Sequence, residues 1–385
     1  MAQISRRAVL VGVVGVGLAA CSKPSAQLSA PPTPPPTPSP IPGATPSPSP
    51  SVDTRPHWPL TGRLLKDEDK ARHAAVAVKV PDNRSEHPQR GIDKADIVFV
   101  ELEGYRDASG YSGTRLVPVF HSRMADSVAP VRSIRPVDIP LLSPIHALIG
   151  NTGAAPWVTN YVKHYRAHLE GLLSYMNTRR TGSYGIDTSR VYSLNGDNYY
   201  DKAVVCHPAT LARQTKRFRS GPPQPYFPFA STCEEVSATG GKRGRSIRIP
   251  YQGESYFMGY DYDKKKKRYL RSTPWGPHVL ANGSRVSTDN VLVIKAKQHY
   301  GKIFRGRGHE EPLHDIINAR GKFYYFNRGR YVTGTWRKGK VHEPFEFTLK
   351  DGSPLKMAPG QTFVELPNVG AKIHIEADPD RHGSA

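Results

Sequence analysis

Ala74-Ala75-Val76-Ala77-Val78-Lys79-Val80 is a run of small and β-branched residues stopped by Pro81-Asp82-Asn83. Such a run, bounded by turn chemistry, reads as a strand buried on both faces. Two further stretches share that character, Ile97-Val98-Phe99-Val100-Glu101-Leu102 and Arg115-Leu116-Val117-Pro118-Val119-Phe120. Pro118 cannot donate to a ladder, which assigns the last of them to an edge or a bulge. Residues 138–147 read as a short helix and Leu148-Ile149-Gly150 as a fourth strand. From Pro156 to Leu173, apolar Trp157, Val158, Tyr161, Tyr165 and Leu169 recur at helical spacing and would cover a sheet. The expected fold of residues 60–221 is therefore an α/β domain, a mixed sheet with helices in layers.

After Gly240 the pattern changes to short alternating segments separated by Gly, Asp and Asn. Candidate strands are 246–251, 255–260, 269–270, 291–295, 322–326, 331–336 and 362–366. This is the signature of a mostly antiparallel β domain, placed at 242–370, with 371–385 as a tail. The proline-bearing segment 222–241 is taken as the linker between the two domains.

The N-terminal region has a different logic. Arg6 and Arg7 precede the uncharged run Ala8–Leu18, which ends in Leu18-Ala19-Ala20-Cys21. A run this short falls below the roughly 20 residues a membrane-spanning helix needs. Residues 1–20 thus read as a cleavable signal, and the small residues before Cys21 resemble a lipobox, whose thiol receives a lipid. Ser5-Arg6-Arg7 also resembles a twin-arginine signal. Acyl chains such as palmitate on Cys21 would hold the protein at the extracytoplasmic face of the cell membrane. Residues 21–59, rich in Pro, Ser and Thr, cannot bury enough apolar surface to order themselves and read as a tether. Cys206 and Cys233 form an even pair that an oxidising compartment could bond.

Lys and Arg number 54 against 33 Asp and Glu, a formal charge of +21, of which Arg6 and Arg7 supply only two. A surplus of this size draws a protein to anionic partners: an envelope polymer, headgroups or an acidic envelope protein. Export argues against nucleic acid, and the aromatic-plus-basic signatures of RNA modules are missing.

Chemistry is harder to find. The chain has no G-x-S-x-G elbow, H-E-x-x-H pair or Walker loop. Pro312 breaks the helix that could bring His309 and His314 onto one metal, so no metal or other cofactor is expected. Gly301–Gly308 could nest an anion on its amides or form a basic turn. Arg115, His121, Ser122, Arg132, Ser133 and Arg135 lie at or just beyond expected strand ends, where open α/β sheets gather ligand contacts. Guanidiniums with hydroxyls could form an anion pocket there. Alternatively, Arg132 and Arg135 pair with Glu101, Glu103 and Asp138 and brace a loop. No catalytic residue is assigned, and a non-catalytic binding protein is the expectation. The competing reading is an envelope hydrolase or transferase acting on peptidoglycan or attached polymers, with Glu101, Glu103 and His121 as the groups to test.

The ordered motifs resemble the YerB-type lipoprotein family. In the first domain the resemblance rests on Val76–Val80 with Asn83-Arg84, Lys94–Val98, Thr114-Arg115, Phe120-His121-Ser122, Pro130–Pro136 and Gly153–Pro156. In the second it rests on Gly259-Tyr260-Asp261, Tyr269–Ser272, Asp289-Asn290-Val291, Gly321-Lys322, Gly334–Lys338 and Pro359–Thr362. It implies an exported two-domain protein with a three-layer first domain, and it implies no reaction. Asn151 and Cys206-His207-Pro208 depart from the pattern.

Overall fold

The computed structural model describes residues 55–106, 112–252 and 256–378. They belong to one compact unit.

Its spine is an eleven-stranded sheet built from both halves of the sequence. The main path runs Lys242–Arg243, Arg330–Lys338, Ala319–Asn327, Asn290–Ile294, Thr362–Glu365, Ile97–Arg106, Ser112–Phe120, Val76–Val78 and Leu148–Gly150. Thr362–Glu365 is the join. It pairs in parallel with Asn290–Ile294 on one side and with Ile97–Arg106 on the other. Its own residues, Thr362, Phe363, Val364 and Glu365, are buried on both faces, as a central parallel strand requires. The N-terminal part is thus mixed α/β and the C-terminal part largely antiparallel, as the patterns predicted, but they share one sheet.

One face of this sheet carries Ala75, Ala77, Ile97, Phe99, Val117, Val364, Leu292, Phe323 and Tyr325 against the short helices Asp138–Leu142 and Pro156–His164. The other carries Val98, Val100, Phe120, Val291, Val293, Phe326 and Phe363 against Ile247, Ile249, Met258, Tyr260 and Tyr269. Those last residues come from a second sheet, formed by Ser246–Gln252, Tyr256–Asp263, Arg268–Thr273 and shorter strands. Helices, sheet and sheet make three layers.

Several expectations need correction. Residues 222–241 are not a free linker: Tyr226 and Phe227 are buried, and the Tyr226 hydroxyl donates to the Leu141 carbonyl at 3.0 Å. The tether ends before residue 59, because Trp58 packs edge-on against His121 and the Pro59 carbonyl accepts from the Tyr226 amide. The tail contributes His374–Glu376, which pairs with Ser246–Arg248. The second helix stops at His164, because Glu170 must return to bridge Leu148 and Gly171 fits tightly against Val162 and Ile134. The first ends at Leu142, passing into a 3-10 turn at Ser143–Ile145 that carries Pro144.

Pro118 does not mark an edge. Ser112–Phe120 lies inside the sheet, and on its outer side Val76 and Ala77 pair with Phe120 and Val119, while Val80 and Pro81 pair with Leu116 and Arg115. Residues 117–118 face the gap between those two short strands. The missing N–H therefore costs no ladder bond.

The two thiols are free. Cys206 is buried against Gly150 and Leu211, whereas Cys233 is exposed on a surface turn. In the chain carrying Cys21→Ser, a chromogenic disulfide reagent should titrate one thiol natively and a second only in denaturant. Absence of any reactive thiol until reduction would restore the disulfide. Cys21 itself and residues 1–20 lie outside the described residues.

Candidate functional site

Alternation along the strands places Lys79 beyond Ala75 and Ala77, and Glu101 and Glu103 beyond Ile97 and Phe99, on the helix-covered face. The apolar core on that face thus ends in charge. Lys79 donates to Glu101 and, at 2.7 Å, to Asp138 in the first turn of the Asp138–Leu142 helix; all three side chains are fully buried. Asp138 also accepts the Arg135 amide at 2.7 Å. Burial, reinforced by the repulsion of Asp138, pushes the Glu101 carboxyl up to about 8 against the pull of Lys79.

Next to this triad stands a second group. Arg115 donates to Glu103 at 3.0 Å and to the Ser133 carbonyl at 2.9 Å. Arg135 donates through Nε to the Glu103 carbonyl at 2.7 Å and lies 3.3 Å from Glu311. Burial and the neighbouring Arg115 push Arg135 down to about 10, while Glu311, Glu101 and Glu103 oppose the shift. Glu311 arrives on the strand Glu311–His314, which crosses the end of Ile97–Arg106 so closely that a Cβ on Gly104, at φ +93°, would lie 2.5 Å from Pro312. Only glycine fits that position.

The six residues singled out from sequence fall into three places. Arg115, Ser133 and Arg135 do come together. Arg132 is elsewhere, clamped by Glu86 and by Asp201 at 3.1 Å. His121 and Ser122 are elsewhere again: Asp96 accepts their amides at 2.9 and 2.6 Å and also takes the Ser122 hydroxyl. One carboxylate thus ties the start of one strand to the end of the next. His121 donates to the Ala71 carbonyl at 3.0 Å, and burial with the nearby His73 pushes its pKa down to about 4. Ser122 is committed to Asp96, so the pair forms no nucleophile and base. An open anion pocket on Arg115, Arg132 and Arg135 is not what the geometry builds. Each guanidinium already has carboxylate partners, and the bracing alternative describes them better, with Lys79 rather than arginine taking Glu101 and Asp138.

A third polar centre was not foreseen. Arg271 is fully buried and donates to Asp82 at 2.6 Å and to His278 Nδ1 at 2.7 Å. His278 Nε2 in turn donates to Gln89 at 2.8 Å, which fixes a neutral ring. Asp82 further takes His87 at 3.0 Å and the Thr114 hydroxyl at 2.9 Å. Burial alone would raise Asp82, but Arg271 and the His87 hydrogen bond hold it far below the usual carboxylate range. The donor atoms of Asp82, His87 and His278 lie within 4.8 Å of one another, the spacing of a metal site. A cation there would meet the Arg271 guanidinium, which already occupies Asp82 and the His278 lone pair. The donor set fits a hydrogen-bonded hub that links the two sheets, not a metal centre.

His309 and His314 do not converge either. His309 is exposed beside Glu311, and His314 is buried beside Gln298. The departure at Asn151 is structural: its side chain donates to Ile149 and Gly171 and accepts from Gly153.

The surface offers what the interior does not. Residues 301–309 form a strap over the Pro156–His164 helix. The Arg307 and His309 carbonyls accept from the Trp157 amide and indole, and the Arg305 carbonyl accepts from Asn160. Carbonyls of the strap thus face the helix. Phe304 stacks on Tyr161 at 5.2 Å, while Lys302, Arg305 and Arg307 are exposed, as are Lys163 and Arg166. Among the described residues none of these five forms an ion pair.

Fold and centres together define a three-layer protein whose buried charges pair with one another, within the first half of the sequence at Lys79 and Arg115 and across the halves where Arg135 meets Glu311 and Asp82 meets Arg271. The sequence matches the family described as protein of unknown function (DUF3048), its N-terminal domain over residues 60–194 and its C-terminal domain over residues 247–364. The chain belongs to this YerB-type two-domain family. It is 26% identical over 323 residues to YerB of Bacillus subtilis (strain 168), whose name assigns it provisionally to the lipoproteins; the match covers 80% of this chain and 85% of that one. The crystal structure of the YerB protein from Bacillus subtilis superposes with a TM-score of 0.63 at 22% identity, covering 83% of this chain and all of the other. That likeness concerns the fold.

Proposed function

We propose that the chain is a lipid-anchored extracytoplasmic binding module that docks an anionic partner of the cell envelope and does not turn it over. The observation that carries this reading is the division of charge. Interior arginines and Lys79 are matched by carboxylates, while Lys163, Arg166, Lys302, Arg305 and Arg307 have no carboxylate partner among the described residues. Cationic side chains held together without acids raise the local concentration of any polyanion. Anchoring is supported by the lipobox-like Leu18–Cys21 and by the lipoprotein name of the relative. No helix among the described residues is long and apolar enough to cross a membrane.

Turnover lacks its parts. Glu101 holds its proton to high pH, as a catalytic acid would, but it is fully buried and spent on Lys79. Replacing Cys21 with Ser should move the protein from the membrane to the soluble fraction. The released chain should then be retained by immobilised polyphosphate at 0.1 M salt and elute before 1 M, as the screening length falls from about 10 to about 3 Å. Lys302→Gln/Arg305→Gln/Arg307→Gln should elute markedly earlier. Persistent membrane association of Cys21→Ser with fatty-acid label still attached would overturn the anchor, and elution of the parent with neutral proteins would overturn the anionic partner.

A further inference from the structure

The second sheet does not cover the whole of the large one. Beyond Phe326, the outer strands Ala319–Asn327 and Arg330–Lys338 leave part of their face open, and a groove of 740 Å³ runs there between them and the edge residues Ile373 and Ile375. Strand register determines what it presents. Lys322 and Tyr324 alternate onto the face of Phe326, Thr333 is the partner of Tyr324, Tyr331 is the partner of Phe326, and Lys242 is the partner of Tyr331. All therefore point into the same groove. Lys350, from the turn after Phe345–Leu349, closes one side.

The chemistry of this lining is mixed in a particular way. Tyr324 and Tyr331 are half-buried, and their rings flank Phe326, Tyr331 stacked on it at 5.3 Å. The Lys322 ammonium lies 4.7 Å from the Tyr324 ring centroid. Lys242, Lys322 and Lys350 are exposed and have no ion-pair partner among the described residues. The one carboxylate in the lining, Asp351, is occupied by the amide and hydroxyl of Ser353 at 3.0 and 2.7 Å. Three cations beside two half-exposed aromatic rings suit a ligand that carries apolar C–H surface and negative charge in one molecule. Nucleic acid would offer that combination too, but an exported chain does not meet it. Sugar rings carrying carboxylates do.

We infer that this groove binds an anionic glycan, its sugars packing against the solvent-exposed parts of Tyr324 and Tyr331 and its carboxylates meeting Lys242, Lys322 and Lys350. The inference rests on the anionic reading proposed above and adds to it a second seat, separate from the strap, for an anionic partner that carries sugar rings. The released Cys21→Ser chain is titrated with oligogalacturonate and hyaluronate oligosaccharides, with neutral oligosaccharides of the same length, and with polyphosphate. Acidic oligosaccharides should bind and neutral ones should not. Lys322→Gln/Lys350→Gln and, separately, Tyr324→Leu should each weaken acidic-oligosaccharide binding about tenfold or more, without lowering the melting temperature. Tyr324→Leu should leave polyphosphate binding unchanged. Polyphosphate binding with no uptake of either acidic oligosaccharide, or uptake that ignores Tyr324→Leu, overturns the groove and spares the anionic reading. Failure of every polyanion to bind overturns both.

Discussion

Lys79→Met should destabilise the folded protein by about 3–5 kcal/mol in urea unfolding at pH 8, the usual cost of removing one partner from a buried charge cluster. Among the described residues the ammonium is the only cation that Glu101 and Asp138 contact directly, and all three groups are fully buried. Methionine keeps most of the volume, so the loss would be electrostatic rather than a cavity. The sign of the pH dependence separates the two. With Lys79 gone, the Glu101 carboxyl is raised further above its unfolded value, so the folded state holds a proton that the unfolded chain releases. Stability is then retained below the unfolded carboxyl range and lost as pH rises through the folded pKa. The deficit should therefore shrink towards pH 4 to 5, a range implied by ordinary carboxyl values of about 4. A cavity would cost the same at every pH. In the parent, Glu101 alone follows the same rule: raised to about 8, it favours folding below the ordinary carboxyl range and loses that contribution as pH rises to 8. Glu101→Gln should flatten the profile between those limits without lowering stability at pH 8.

Arg271→Met should cost a comparable amount, about 3–5 kcal/mol, for a different reason. It strands Asp82 and removes the cation nearest Glu365, a buried carboxyl that already bonds the Tyr251 hydroxyl at 2.8 Å and also takes that of Tyr260. Burial, against the pull of Arg271 and both tyrosines, pushes Glu365 up to about 7. Asp82 lies at the end of the first short strands, whereas Arg271 lies in the second sheet. The pair is thus a tie between sequence halves 189 positions apart. A double-mutant cycle with Asp82→Asn should show strong coupling, the double variant being much more stable than the sum of single losses predicts. Additive losses would mean that the pair is incidental. The parent's Asp82 is depressed, so its contribution is present at neutral pH and fades only in strong acid.

These two centres also mark the limit of what the sequence discloses. Strand positions in both halves are legible because apolar alternation and turn residues recur at short range; the expected 322–326 and 331–336 lie inside observed strands paired residue for residue. Thr362–Glu365 was legible as a strand but not as the parallel join between halves, because no local signal says which distant strand it will meet. Lys79 and Glu101 carried a readable hint, a charge set in an otherwise apolar alternating run on the buried side. Asp82, Arg271 and His278 carried none, being ordinary polar residues at loop and strand positions. The misplacement of Arg132 has the same origin. Its position just beyond an expected strand end, close to Arg135, suggested convergence, yet the chain turns between them and sends Arg132 to Glu86 and Asp201.

The central claim is that buried charge holds the fold while exposed charge meets the partner. Calorimetric titration of the released Cys21→Ser chain with polyphosphate tests it most directly when Lys302→Gln/Arg305→Gln/Arg307→Gln and Arg135→Gln are run side by side. The account predicts that the strap variant melts like the parent and loses most of its affinity. It predicts the opposite for Arg135→Gln: a lower melting temperature, with affinity unchanged at temperatures where the variant is folded. Full affinity in the strap variant, together with loss of binding in a folded Arg135→Gln protein, would contradict it.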